Sequence, residues 1–332
     1  MSNESGQPES PGSGLFARFL ANEAAGSRSP RLGYGFATAA AAVSGVSVYV
    51  NSLGVRSFDD PLLYTALKDG FVGLILLGPL LVSTGWRADY RRLDRRTWAW
   101  MVALALTGGS VPFALFFSGL QQTTAATGAL VNHFQFVLVA LFAVAFLKER
   151  IRPGMWAGFV VLLLATLLGT RLETLKWNQG ALLIAASTVL FAIDFVIAKQ
   201  LLRGLATLTV LTARMTIGTA MLFAYVIAAG RIGPITQLSG TQWGFVVITG
   251  ILLLLFTTTT FTAIRHASVS VVLAIGTASP IITTLLQFTA TRNVELAAAD
   301  VAGLAITVLA VAAIIVIGVR QENQACRVGQ IV

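Results

Sequence analysis

The feature that most constrains this chain is a series of ten apolar stretches, each close to the roughly 20 residues needed to cross a bilayer as a helix. They fall at about 33–53, 62–83, 98–119, 124–147, 153–170, 179–199, 207–229, 243–264, 268–290 and 297–318. The breaks between them are short and polar, WRADYRRLDRR and KERIRP being the clearest. Of 332 residues, 56% are hydrophobic and only 11% are charged, with a mean hydropathy of +0.79. A soluble domain carries about 25% charged residues, so this composition selects a membrane protein. The fold class expected is all-α and polytopic: ten transmembrane helices arranged as two inverted five-helix repeats.

The net charge of +9 is read as loop topology rather than nucleic-acid binding. With the N-terminus in the cytoplasm and ten crossings, 16 Lys and Arg fall on inside segments and 5 on outside segments, with Lys68 and Arg214 inside helices. That asymmetry obeys the positive-inside rule and puts both termini in the cytoplasm. The expected location is a plasma membrane, the inner membrane of a bacterium. One cysteine, Cys326, and two distant histidines exclude an internal disulfide and make a metal site a poor reading. Residues 1–32, rich in Ser, Gly, Pro and Glu, read as a disordered cytoplasmic tail and lack signal-peptide features. The division expected is a tail 1–32, a first repeat 33–170, an extracytoplasmic linker 171–178, a second repeat 179–318 and a tail 319–332.

A shift of about 145 residues lays the chain on itself. GLQQTTAATGAL falls on IRHASVSVVLAI, Gly158 on Gly303, and Lys68 within one residue of Arg214. Five crossings per half force the second half to enter from the other side, the inverted-repeat plan of many secondary transporters. Within helix 3, GGSVP (108–112) is expected to bend or unwind the helix.

These features resemble the ten-helix EamA-type branch of the drug/metabolite transporter superfamily over residues 33–318. The resemblance rests on FLKERIRPGMWAGFVVLLLATLLG, on GALLIAASTVLFAIDFVIAKQLL, and on the AS…SP…ADVAGLAI run of the second half. Glu149 and Gly158 match the family pattern at the close of the first half. Glu295 is displaced by about one residue in the second, where Gly303 fits. Pro280 supplies a mid-helix proline common in the family, whereas the first half has Gln135 at that place. The resemblance implies a carrier of small metabolites, with amino acids, related metabolites or drugs as the solute class and export as the direction.

Candidate site residues are the polar groups in mid-helix. Asn132, His133 and Gln135 interrupt helix 4, and an unpaired amide or imidazole in hydrocarbon costs several kcal/mol. They therefore face protein or water, either lining a cavity or bonding between helices. Lys68 and Arg214 are intramembrane cations able to hold an anionic group, or to snorkel toward an interface. Asp194 can take a proton, bind an amine, or pair with Arg214 or Lys199. The substrate set is thus Lys68, Asn132, His133, Gln135, Asp194 and Arg214. His133, Asp194 and Asp69 are the candidates for carrying a proton. The cavity is expected between helices 1, 2, 4, 6, 7 and 9.

Nothing in the sequence carries catalytic chemistry. There is no Walker loop, GxSxG or HExxH, and no cofactor is expected. The partners expected are a small solute, the bilayer and protons; monomer and homodimer both remain open. The rival readings are an enzyme acting on lipid head groups, a flippase for a lipid-linked substrate, and a sensor subunit.

Overall fold

The computed structural model describes residues 29–82, 90–168, 175–291 and 298–329. The N-terminal tail to residue 28, the loop holding Arg87, the linker residues 171–174 and Glu295 lie outside the described residues. Ten helical segments follow in order: α1 Pro30–Val55, α2 Pro61–Val82, α3 Arg95–Leu120, α4, α5 Pro153–Leu168, α6 Gln179–Leu201, α7 Thr207–Ala228, α8 Gly240–His266, α9 and α10 Ala298–Gly329. Two are interrupted: α4 runs Ala125–His133 and Gln135–Leu147, and α9 runs Val269–Gly276 and Ser279–Thr291. Nine of these stretches are long and apolar enough, among the described residues, to cross a membrane; the described part of α5 has 16 residues.

Local chemistry places the helix ends. Pro30 occupies the first turn of α1, where a missing N–H costs nothing. Asp94, Thr124, Asn178 and Ser239 cap α3, α4, α6 and α8 through their side chains, and Ser239 with Gln242 forms a reciprocal capping box. Lys148 ends α4 in the left-handed region at φ 56°. The last helix continues to Gly329, past the expected end at 318. VRQENQACRV offers no Pro or Gly to stop it before Gly329.

The packing is symmetric on exchange of the halves. The pair α1–α8 has its counterpart in α6–α3, α1–α9 in α6–α4, and α2–α8 in α7–α3, while α2–α7, α5–α10 and α4–α9 map onto themselves. Glycine contacts give the direction of the paired helices. Gly70 of α2 faces Phe223 of α7, and Gly73 faces Met215 and Thr219, one to two turns back. Gly154 and Gly158 of α5 face Ile317 and Ile314 of α10 in the same reversed order. Equivalent helices of the two halves therefore run antiparallel, and the repeats are inverted.

One close backbone approach is between α3 and α7. A Cβ on Gly109 would stand 2.8 Å from the Gly218 Cα, and the reverse distance is the same. Small residues allow this backbone contact, which supplies dispersion and weak polar attraction where lipid offers no hydrophobic drive. Gly218→Ala should lower the unfolding temperature of the detergent-solubilised protein, because overpacking costs about 1–3 kcal/mol and exceeds the gain in helix propensity. Gly244→Ala, with nothing within 4 Å, should leave it unchanged or raise it. Equal responses of the two variants would contradict the backbone contact.

Candidate functional site

The expected site residues separate into two places. Asn132, His133 and Gln135 line a cavity of about 430 Å³, together with Ser44 of α1, Phe195 of α6, Thr260 of α8 and Thr277, Ser279 and Thr283 of α9. Lys68, Asp69, Asp194 and Arg214 do not line it. The walls come from α1, α4, α6, α8 and α9, so α8 stands where α2 and α7 were expected. The reason lies in packing: α2 and α7 are close partners across the symmetry relation, and their mutual contact keeps them out of the hollow.

Helix breaks bring the polar trio to one cavity. On a regular helix Asn132 and His133 would point about 100° apart. At Phe134 the α-helical pattern stops, and its N–H turns back to Val131. A second helical stretch then restarts at Gln135. The counterpart in α9 lies at Thr277 and Ala278, just before Pro280, whose ring removes a backbone donor. Both repeats thus break their fourth helix at equivalent places, although only the second has the proline. Helices interrupted in mid-membrane are tolerated where the freed backbone lines a cavity.

The two breaks divide the cavity into an open and a closed end. Beyond them, the C-terminal part of α4 packs on the N-terminal part of α9. There the Glu149 carboxylate accepts bonds from the Val269 N–H at 2.9 Å, the Ser270 N–H at 3.5 Å and the Ser270 Oγ–H at 2.8 Å. Lys199 Nζ donates to the Ile264 and Ala267 carbonyls at 2.5 and 2.7 Å, holding the same α8–α9 corner. Lys199 is therefore occupied with α8 rather than with Asp194. Toward the opposite end the N-terminal part of α4 packs on α6 and the C-terminal part of α9 packs on α1. The two helices diverge, and the cavity lies in the gap.

The second place is a buried ionic cluster. Arg214 Nε and Nη2 donate to the two Asp194 oxygens, each at 3.1 Å, and Nη2 also donates to the Gly108 carbonyl at 2.8 Å. The Asp194 side chain is 1% exposed and that of Arg214 11%. Arg214 has not snorkelled; its guanidinium also stands 5.5 Å from the Phe261 ring centre. The Gly108 carbonyl is available because the residue four on, Pro112, has no N–H to bond it, and α3 adopts a π-helical turn over Leu106–Ser110, at the GGSVP sequence expected to loosen it. Gly108 itself leaves room for the carboxylate: a Cβ there would lie 2.0 Å from Asp194 Oδ1. Asp69 is buried nearby, with its Oδ1 lacking a hydrogen-bond partner among the described residues. Lys68 turns to Asn51 Oδ1 at 3.4 Å, and the same oxygen accepts from the Tyr64 hydroxyl at 3.1 Å.

Sequence reasoning missed Gly108 and Phe261 as partners of Arg214, and Thr260 as a cavity residue. The TTTT run at 257–260 was the available signal, four hydroxyls in one apolar helix. Nothing in the sequence could have paired Glu149 with residues 120 positions away.

A helical bundle of two inverted repeats around a cavity between interrupted helices is the plan of many secondary transporters. The chain belongs to the EamA-like transporter family, whose model matches residues 31–171 and again 178–316. It is 23% identical over 185 residues to the uncharacterized transporter YyaM of Bacillus subtilis (strain 168), and 24% identical over 172 residues to an uncharacterized transporter of Archaeoglobus fulgidus. These alignments cover 54% and 50% of this chain, and 60% and 59% of the relatives. A crystal structure of a protein 22% identical shares the fold, with a TM-score of 0.68 over 86% of this chain and 98% of the other.

The ion pair predicts a specific stability pattern. Asp194→Ala leaves a buried guanidinium with one carbonyl partner, and loss of one member of a buried pair costs about 3–5 kcal/mol. Asp194→Leu combined with Arg214→Met should recover much of that loss in thermal unfolding, because neither charge remains buried. A double variant as unstable as the single would rule out this account of the pair.

Proposed function

We propose that this protein exports a small neutral or zwitterionic solute, such as an amino acid, a related metabolite or a drug-like molecule, by alternating access. The observation that carries the proposal is the cavity between the two broken helices. Hydroxyl, amide and imidazole groups line it, along with Phe136, Phe195 and Phe256, and no Asp, Glu, Lys or Arg is among the described residues that do. Such a lining can satisfy polar groups and cover an apolar side chain, and it offers no fixed charge to a strongly ionic solute.

The charge distribution of the loops supports an orientation with the Glu149 and Lys199 end in the cytoplasm. In that orientation the described state is closed inside, and its cavity faces outward. Rocking of the repeats would release the contact between Glu149 and α9 and close the gap between the N-terminal part of α4 and the C-terminal part of α9. Inverted repeats make the two states near mirror images in their packing. Among the residues lining the cavity, His133 is the titratable one, so we assign any proton coupling to it. Asp194 is committed to Arg214, and Asp69 lies away from the cavity; we place both in the framework that supports the moving helices.

A thermal-shift screen of amino acids, nucleosides and organic cations on the purified protein should find stabilising compounds among the neutral and zwitterionic solutes. Hits should be transported in proteoliposomes. Asn132→Leu with Gln135→Leu should cut that flux at least ten-fold, with little change in unfolding temperature, since both side chains face the hollow. Stabilisation confined to polyanions, or undiminished flux in the double variant, would remove the cavity as the substrate site.

A further inference from the structure

A second hollow lies away from the transport cavity, at the basic end of the bundle. Both α3 and the C-terminal part of α4 pack on α6, and a groove of about 1100 Å³ separates them. Its floor is α6, where Ile193 and Val196 are half-buried. Its walls carry Trp100, 43% exposed, and Phe146, 72% exposed. Along this length it is an apolar trough open to the lipid side.

The groove changes character at one end. Arg96 in the first turn of α3, Lys148 just beyond α4 and Arg203 just beyond α6 all line its mouth. None of the three forms a salt bridge among the described residues. Of the neighbouring acids, Asp94 accepts the Thr97 N–H at 3.1 Å as a helix cap and lies near enough to Arg96 to attract it without a salt bridge, and Glu149 faces Val269 and Ser270. Arg203 is steadied by bonds to Gln200 Oε1 at 3.1 Å and to the Leu147 carbonyl at 3.3 Å. Lys148 is exposed on its left-handed turn. Three cations from three helix ends thus converge at the level where an apolar trough meets water.

We propose that this groove binds an anionic phospholipid, with its phosphate among Arg96, Lys148 and Arg203 and an acyl chain along α6. Arginine forks and lysine ammonium groups both suit a phosphate, and basic pockets between membrane helices recognise anionic head groups. Trp100 stands where an interfacial aromatic belongs. The apolar length selects a lipid over a free anion, and the charge selects an acidic head group over a zwitterionic one. This site is separate from the transport cavity, and its occupancy does not depend on which solute is carried.

The test uses the full chain in detergent with equal amounts of phosphatidylglycerol and phosphatidylcholine bearing the same acyl chains, read by native mass spectrometry. The wild type should retain phosphatidylglycerol preferentially. Arg96→Gln with Lys148→Gln, both exposed side chains, should reduce that preference by on the order of ten-fold, given the attraction of each cation to an anionic lipid. Arg91→Gln with Arg92→Gln, which removes the same charge outside the groove, should keep it. Val196→Trp should fill the trough and expel the lipid with the cations still in place. Equal retention of the two lipids by the wild type, or an unchanged preference in the Arg96 and Lys148 variant, would overturn the proposal. Displacement of the lipid by glycerol 3-phosphate at comparable concentration would also overturn it, since the site would then be one for a free anion.

Discussion

A guanidinium cannot sit in the middle of a helical membrane bundle unless every nearby element helps to hold it, and Arg214 makes that demand on three neighbouring helices. Asp194 of α6 meets it in a two-pronged pair, the π turn of α3 contributes the Gly108 carbonyl, and Phe261 of α8 lies beside it. The demand reaches back into the backbone. Pro112, four residues on, has no N–H to give the Gly108 carbonyl, and any side chain at 108 would collide with the carboxylate. Tight packing of α3 on α7 at Gly109 and Gly218 follows from the same arrangement.

With that side of the molecule fixed by charge, the other side is free to be hollow. The fourth helix of each repeat breaks at its middle; both parts of α4 pack on α6 and both parts of α9 on α1, while the C-terminal part of α4 also packs on the N-terminal part of α9. One end is tied across the halves by Glu149, through bonds from α9, and is braced within the second half by Lys199, through the carbonyls of Ile264 and Ala267. Under the alternating-access mechanism proposed above, the ionic framework would be the part that stays and the interrupted helices the part that changes partners.

Much of this was legible in the residues. Apolar length gave ten helices, and their observed ends fall mostly within a few residues of expectation because caps, prolines and charged breaks are local signals. Helix 10 is the exception, since nothing local stops it before Gly329. The cavity trio was legible too, because buried amides and an imidazole cannot be left against lipid. The grouping of the six proposed contacts was not. Lys68, Asp194 and Arg214 read as equals of Asn132, yet they belong to a different part of the bundle.

The sequence by itself determined the number of helices, the inversion of the halves and the presence of polar groups that must be hidden, since each follows from the cost of exposing polar atoms to hydrocarbon along one chain. Only the tertiary structure decided which of those groups meet. Arg214 could have paired with Asp69 or Asp194, and Lys199 with Asp194 or with open carbonyls; the choice rests on helix separations of a few ångströms, to which hydrogen bonds are steeply sensitive and which no linear spacing encodes.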